Sequence, residues 1–326
     1  MIEAGNRALG TGHRAPKKMI RGRSFQGPGG PIGRCSDEQR TLYYAAGPTN
    51  RRQNGTALDF PIILVHHVDC RESRRQKRMP GFDHILSNMG GRVGVAVEIY
   101  WGARLQQARK QVQEGRADQG ARGAVTGGQQ MAGFASLVKE LLKSAGVAED
   151  HVYDSSALEI PGFFRPTKQW DLLVVRDAQL IAAIELKSQV GPSFGNNFNN
   201  RTEEAMGTAL DLWTAFREGA FNKTHRPWLC YLFLLEDCER SRSAIRVAEP
   251  HFNVFPEFKG ASYSRRYELF CRKLVREGHY NAAAFLVSPR EAGIRGVYSE
   301  PAQDLSFQTF ARSLVAHAAA FGEGNT

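Results

Sequence analysis

The sequence predicts an α/β protein with a mixed central sheet covered by helices on both faces. Three observations lead there. Two apolar runs of strand length, Trp170–Val175 and Leu180–Lys187, flank the polar group Arg176–Gln179, which is the pattern of a hairpin. Two further runs, Trp228–Leu235 and Ala282–Val287, are apolar throughout, as strands buried on both faces are. Segments of helical periodicity precede, separate and follow these strands. Helices interleaved with buried strands pack on both faces of a sheet.

The hairpin carries the chemistry. A three-residue loop, Asp177–Gln179, sets Arg176 opposite Leu180 and Asp171 opposite Glu185. Opposed residues share a face, and Lys187, two residues beyond Glu185, shares it too. The candidate catalytic residues are therefore Asp171, Glu185 and Lys187. Two close carboxylates repel unless a cation sits between them. Their oxygens suit Mg2+, which takes one or two carboxylates plus water and phosphate oxygens. A neighbouring lysine can orient a water or neutralise charge building on phosphorus. The chemistry that fits is metal-assisted phosphodiester hydrolysis. The same three residues also suit a salt-bridged hairpin end with no chemistry.

The chain of 326 residues has room for two domains or one large one. No apolar run reaches the length of a membrane span, and the N-terminus lacks the apolar core of a secretory signal. A cytoplasmic location is expected. The five cysteines, Cys35, Cys70, Cys230, Cys238 and Cys271, are odd in number and form no CxxC pair. Reduced thiols fit that better than a disulfide framework or a zinc site.

The net charge of +10 is unevenly spread. Residues 1–93 hold 16 Lys and Arg against 7 Asp and Glu, whereas 94–326 hold 27 against 26. Net charge is thus no argument for nucleic-acid binding by the larger part. Residues 1–93 read as a basic Gly/Pro/Arg-rich extension, expected to be disordered or to lie upstream of a true start at Met79 or Met89. A basic arm on the DNA backbone is the alternative reading. His66 and His67 fall on a strand-like stretch, Asp59–Val68, where adjacent residues face opposite ways, so they make a poor metal pair.

From Val95 the periodicity is helical. Val95–Gly115 carries Ile99, Trp101 and Leu105, and a Gly-rich loop spans Gly115–Gly128. Met131–Ala145 sets Phe134, Leu137, Val138, Leu141 and Leu142 on one stripe, with Glu140 at its edge, read as solvated rather than as a further acid of a metal site. After the hairpin, Ser188–Asn200 reads as a Gly/Asn-rich loop. The amides of Asn196, Asn197, Asn199 and Asn200 suit phosphates or adenine edges, or simply turns. A helix from Thr202 to about Ala220 places Glu203 and Glu204 near its start, as dipole partners or as acids near a metal. Glu236–Ala248 alternates acids and bases like a solvated helix. Pro250–Tyr263 is an aromatic loop leading to Lys259, Arg265 and Arg266. Aromatics interleaved with bases suit a DNA-facing surface, where arginine reads guanine; a loop clamped by its own aromatics is the alternative. Phe307–Phe321 is a final helix, for core cover or a dimer contact.

Several blocks together resemble the XhoI family of type II restriction endonucleases. They are Pro161-Gly-Phe-Phe-Arg-Pro-Thr-Lys-Gln-Trp-Asp171, Ala183-Ile-Glu-Leu-Lys-Ser188 and Gly191-Pro-Ser-Phe-Gly-Asn-Asn-Phe-Asn-Asn200, which runs on to Ala209. A second group agrees: Glu236-Asp-Cys-Glu239, Pro250-His-Phe-Asn-Val-Phe-Pro-Glu-Phe-Lys-Gly-Ala-Ser-Tyr263, Arg266-Tyr-Glu268 and Cys271-Arg-Lys273. The resemblance runs from about Val95 to near the C-terminus. It implies a PD-(D/E)xK restriction-endonuclease-like core over residues 94–326. It implies Mg2+ held by Asp171, Glu185 and the Leu186 backbone carbonyl, with Lys187 positioning water. It further implies double-stranded DNA cut at CTCGAG after the first C, leaving 5′ overhangs with 5′-phosphates, by a homodimer whose system partner is a cognate DNA methyltransferase. Trp170 replaces the usual proline before the acid, and Glu185-Leu-Lys187 is intact. Two alternatives stand beside it: a PD-(D/E)xK nuclease of other specificity, acting in repair or at junctions, and a DNA-binding module that has lost hydrolysis.

Overall fold

The five-stranded sheet is built on the predicted hairpin. A computed structural model describes residues 82–113, 128–222 and 225–321. The strand-like stretch with His66 and His67, nearly all of the N-terminal extension and the Gly-rich loop before Gly128 lie outside the described residues. Strands β1 (Val152–Tyr153), β4 (Leu172–Arg176), β5 (Gln179–Gln189), β6 (Trp228–Glu236) and β7 (Ala282–Ser288) form one sheet in the order β1-β4-β5-β6-β7. Pairing is antiparallel from β1 to β5 and parallel from β5 to β7. Strands β2 (Glu159–Pro161) and β3 (Thr167–Gln169), which the sequence pattern did not reveal, pair as a separate ribbon.

The hairpin turn differs from the expected three-residue loop. Asp177 and Ala178 alone form it, both with positive φ, at 50° and 58°, the requirement of a tight type I′ turn. Arg176 therefore faces Gln179 rather than Leu180. The ladder then slips between Val174 and Val175, so Ile181 is an extra residue on β5. The bulge restores the residue that the shorter turn removed. Leu172 faces Ile184, and the register at the far end is the predicted one.

Alternation along the strands makes two cores. Leu172, Val174, Ile184, Leu186, Leu232, Leu234, Ala284 and Leu286 pack against helices α2 (Met89–Gln113), α3 (Ala132–Ser144) and α8 (Phe307–Ala319). Leu173, Ala183, Tyr231, Phe233 and Phe285 pack against α4 (Phe194–Arg217) and α6 (Tyr263–Arg276). The predicted α3 stripe is buried throughout, and Phe307, Phe310, Ala311 and Leu314 make α8 a cover for the core. Of the three apolar residues named on α2, Trp101 is buried, whereas Ile99 and Leu105 are exposed. The buried face is Val93, Ala96, Val97, Tyr100 and Trp101, and contact with α3 selects it. A short helix, α1 (Phe82–Ile85), precedes α2, another, α7 (Arg290–Gly293), precedes α8, and Ile85, Leu86 and Met89 are core residues. The packed body thus includes residues before 94.

Two other expectations fail. Glu236–Ala248 is not a long helix; only α5 (Glu239–Arg242) forms there, with Ser241 Oγ tied to Cys238 N–H. The Asn run is not a loop. Helix α4 begins at Phe194, because Phe194 stacks on Tyr263 and Phe198 packs edge-on to Tyr267. Packing at that spacing overrides the weak helical preference of asparagine. Cys230 and Cys271 are buried free thiols. Among the described residues no helix is long and apolar enough to cross a membrane.

Ala178 carries a side chain in the left-handed region, a conformation that costs an L-residue about 1–2 kcal/mol. Ala178→Gly supplies the residue this turn prefers and should raise the urea midpoint at unchanged slope, by about 1 kcal/mol of stability.

Candidate active site

Three predicted residues meet at one end of the hairpin. Asp171 lies just before β4, and its Oδ2 accepts the N–H of Leu186 at 2.8 Å. That bond ties the start of β4 to the middle of β5. Lys187 Nζ contacts Glu185 Oε1 and lies 3.6 Å from Asp171 Oδ2. Glu185 faces the α4 side of the sheet and is only 1% exposed. Asp171 and Leu186 also line a cleft of about 430 Å³ with Gln169, Trp170, Met131 and Ser136.

Two residues join them: Lys168, which no sequence pattern singled out, and Glu204, one of the two acids read as dipole partners or as acids near a metal. Lys168, on β3, puts Nζ 2.7 Å from Glu185 Oε2 and 4.4 Å above the ring of Trp170. Glu204, on α4, lies 3.7 Å from Lys187 Nζ and pairs with Arg201 at 2.6 Å. Glu203 and Glu204 are well inside α4, whose first residue is Phe194, so the dipole reading fails for both. The reading as an acid beside the site holds for Glu204. Its signal was the spacing Asn197, Arg201, Glu204 along one helical face. Lys168 had no periodic signal, because its place depends on how the β2–β3 ribbon folds back.

Asp211 fixes that fold-back. It is buried on α4, and its Oδ1 accepts the N–H groups of Phe163 and Phe164, each at 2.7 Å. Arg165 Nε pairs with Oδ2 at 2.6 Å. Burial raises the Asp211 pKa, but the Phe164 and Phe163 amides and the Arg165 guanidinium outweigh it and hold the carboxyl below its usual range. A side chain on Gly162 would lie 2.2 Å from Asp211 Oδ2, so the loop sits directly on the carboxylate. The loop tip exposes Phe163 and Phe164.

The charges do not settle equally. Burial pushes the Glu185 carboxyl up, but the two ammonium groups of Lys187 and Lys168 overcome it and hold the group ionised. Burial likewise opposes the charge on Lys187, and Glu185, Asp171 and Glu204 restore and strengthen it. Asp171 goes the other way. Burial raises its pKa, Lys187 offsets only part of that, and Glu185 adds to it.

The predicted DNA-contact residues fall on two neighbouring helix starts. Asn196, Asn197, Asn199 and Asn200 occupy the first two turns of α4. Arg265 and Arg266 are in the first turn of α6, and Lys259 precedes it. Tyr263 stacks on Phe194 with ring centroids 5.7 Å apart, so the two helix starts touch. Lys259 pairs with Glu249 at 3.1 Å and Arg265 with Glu268 at 2.5 Å. Arg266 donates to the Ala261 carbonyl at 3.1 Å and lies over the Tyr263 ring. Its Nη2 is buried without a hydrogen-bond partner. Glu140 is exposed and pairs with Arg92 at 3.0 Å, away from the acid pair, as read.

A mixed sheet, helices on both faces and an acid pair with Glu-x-Lys at one sheet end define a restriction-endonuclease-like protein. The family model described as "Restriction endonuclease XhoI" matches residues 110–300. The chain is 54% identical over 207 residues to the type II restriction enzyme BstVI of Geobacillus stearothermophilus, spanning 62% of this chain and 92% of that enzyme. It is 47% identical to the type II restriction enzyme XhoI of Xanthomonas vasicola over 61% of this chain and 79% of that one. It is 49% identical to AbrI of Azospirillum brasilense over 48% and 71%. No solved structure matches the chain significantly. The chain belongs to the XhoI family of type II restriction endonucleases, site-specific deoxyribonucleases that act on double-stranded DNA.

The family implies a divalent metal, and the acid pair fits one. Glu185 Oε1 is buried and meets the Lys187 ammonium, and a carboxylate oxygen in that position keeps a lone pair for an ion. Among the described residues no three His, Cys, Asp or Glu side chains group for a metal. Two carboxylates fit a magnesium-type ion, which keeps several waters, better than a protein cage.

The Asp171 shift gives a stability test. A carboxyl whose folded pKa is raised destabilises the fold when ionised. That cost is full above the folded pKa and vanishes below the unfolded value. Asp171→Asn should therefore stabilise the protein at pH 7 without added metal. The gain should disappear as the pH falls below about 4, as read from urea midpoints across pH.

Proposed function

We propose that the chain is a Mg2+-dependent endonuclease that cuts duplex DNA at CTCGAG after the first C, leaving 5′ overhangs with 5′-phosphates. The observation that carries this is the meeting of Asp171, Glu185 and Lys187 on one face of β4–β5, inside the matched stretch. Asp171, Glu185 and the Leu186 carbonyl hold the ion. When bound, it supplies Lewis-acid stabilisation of the phosphoryl oxygens and a more acidic water. Lys187 directs Nζ at the attacking water and offsets charge building on phosphorus. Glu204 holds Lys187 from the other side. The side chains of Asn196, Asn197, Asn199, Asn200, Lys259, Arg265 and Arg266 contact the DNA. Lys259 and Arg265 are the more exposed of the three basic residues. A palindrome cut symmetrically calls for a two-fold homodimer. A methyltransferase of the same specificity protects the host, and both work in the cytoplasm.

Digestion of a plasmid with known CTCGAG sites, in Mg2+ and in EDTA, followed by sequencing of the ends, tests this. Mg2+-dependent fragments ending in TCGA overhangs are expected. Discrete cuts at other sequences would keep the chemistry and remove the specificity. Binding with no cutting would mean that hydrolysis has been lost. Lys187→Met should lower the cleavage rate roughly a hundred- to a thousand-fold while binding of the same duplex in Ca2+ is retained. Full activity in that variant would remove Lys187 from the mechanism.

A further inference from the structure

Glu185 is held by two lysines that reach it from different elements. Lys187 is two residues away on β5, whereas Lys168 comes from the β2–β3 ribbon. The reaction above uses one of them. Lys168 is 11% exposed, and among the described residues it pairs with no acid other than Glu185. Asp171, Glu185 and Glu204 bring three negative charges, and Lys168, Lys187 and Arg201 bring three positive ones. The cluster is balanced before any ion or phosphate arrives. A dication joining it faces two ammonium groups already on the same carboxylate, and like charges a few ångströms apart at low dielectric repel strongly.

We propose that Lys168 is a resident countercharge that holds Glu185 in the DNA-free enzyme and competes with the divalent cation for it, so that the metal binds well only when DNA phosphates add their charge. This rests on the reading of Asp171 and Glu185 as metal ligands. Each phosphate brings one negative charge to a site balanced without it. Trp170 gives Lys168 somewhere to remain. Its ring lies 4.4 Å from Nζ, and the ring face attracts the ammonium once Glu185 is given up. The Asp211 clamp keeps the ribbon, and with it Lys168, at the site in both conditions.

Calorimetric titration of the full chain with Ca2+, without DNA, tests the idea. Lys168→Met should bind Ca2+ about tenfold more tightly than the wild type, or better, and Lys168→Arg should bind as weakly as the wild type. Equal or weaker binding by Lys168→Met overturns the proposal, because a lysine that merely braces the ribbon would loosen the site when removed. Should Lys168→Met fail to fold by circular dichroism, the wild type alone decides. Its Ca2+ affinity with a bound duplex that it cuts in Mg2+ should exceed the DNA-free value about tenfold or more, and equal values overturn the proposal. Asp171→Asn separates the two readings. If it leaves Ca2+ binding intact, the acid pair is not the metal site and the functional reading falls. If it abolishes binding while Lys168→Met gains nothing, only the role of Lys168 falls.

Discussion

The rest of the structure depends on keeping one buried carboxylate charged. Glu185 is 1% exposed within β5, the longest strand among the described residues. Moving a carboxylate out of water is costly by several kcal/mol unless it is paired and hydrogen-bonded. One lysine on the same strand supplies part of that. The other arrives on a ribbon that could not stay in place alone, since a two-stranded ribbon of three-residue strands is marginal. Asp211 holds the ribbon's loop, and Asp211 lies on α4. Helix α4 is held in the same core because Phe194 and Phe198 pack on Tyr263 and Tyr267 of α6. The electrostatics of a single side chain thus reach through the ribbon and two helices.

What was legible in the sequence follows from this dependence. Strands β4 to β7 declared themselves through short apolar runs, and α3 through a stripe that contact with the sheet confirms. The pairing of Asp171 with Glu185 was legible because register is a local property of a hairpin. The assumed turn was wrong by one residue, yet the bulge at Ile181 cancelled the error. Cancellation of that kind is not luck alone: the hydrophobic faces of β4 and β5 must align with the two cores, and a one-residue slip would turn Leu172 and Ile184 to the wrong side.

The misses share one cause. Residues that reach the site through the path of a loop or the packing of another helix leave no periodic trace. Lys168 is three residues from Asp171 in sequence, but it touches Glu185 only because Gly162–Arg165 is pinned to α4. The Asn run read as a loop because local preference favours turns there. The helix forms because Phe194, Phe198, Ala205 and Ala209 share a buried face. That spacing was present in the sequence, hidden under four amides.

Net charge was a poor guide to this protein, and local charge is a good one. Residues 94–326 are almost neutral as a whole, yet they gather six formal charges in one cluster that includes Lys187. Within that group burial pushes Asp171 away from its charged form. A fold selected only for stability would put a neutral or apolar residue at that position, since isosteric replacement of a buried charge is often neutral or favourable. Retaining an acid that the surroundings disfavour makes sense if the unfavourable term is relieved by a ligand. A hard cation between Asp171 and Glu185 would do that, converting the repulsion between two carboxylates into coordination. The destabilising acid is therefore the part of the site that most directly points to its chemistry, and the stabilising lysines are the part that holds the site ready for it.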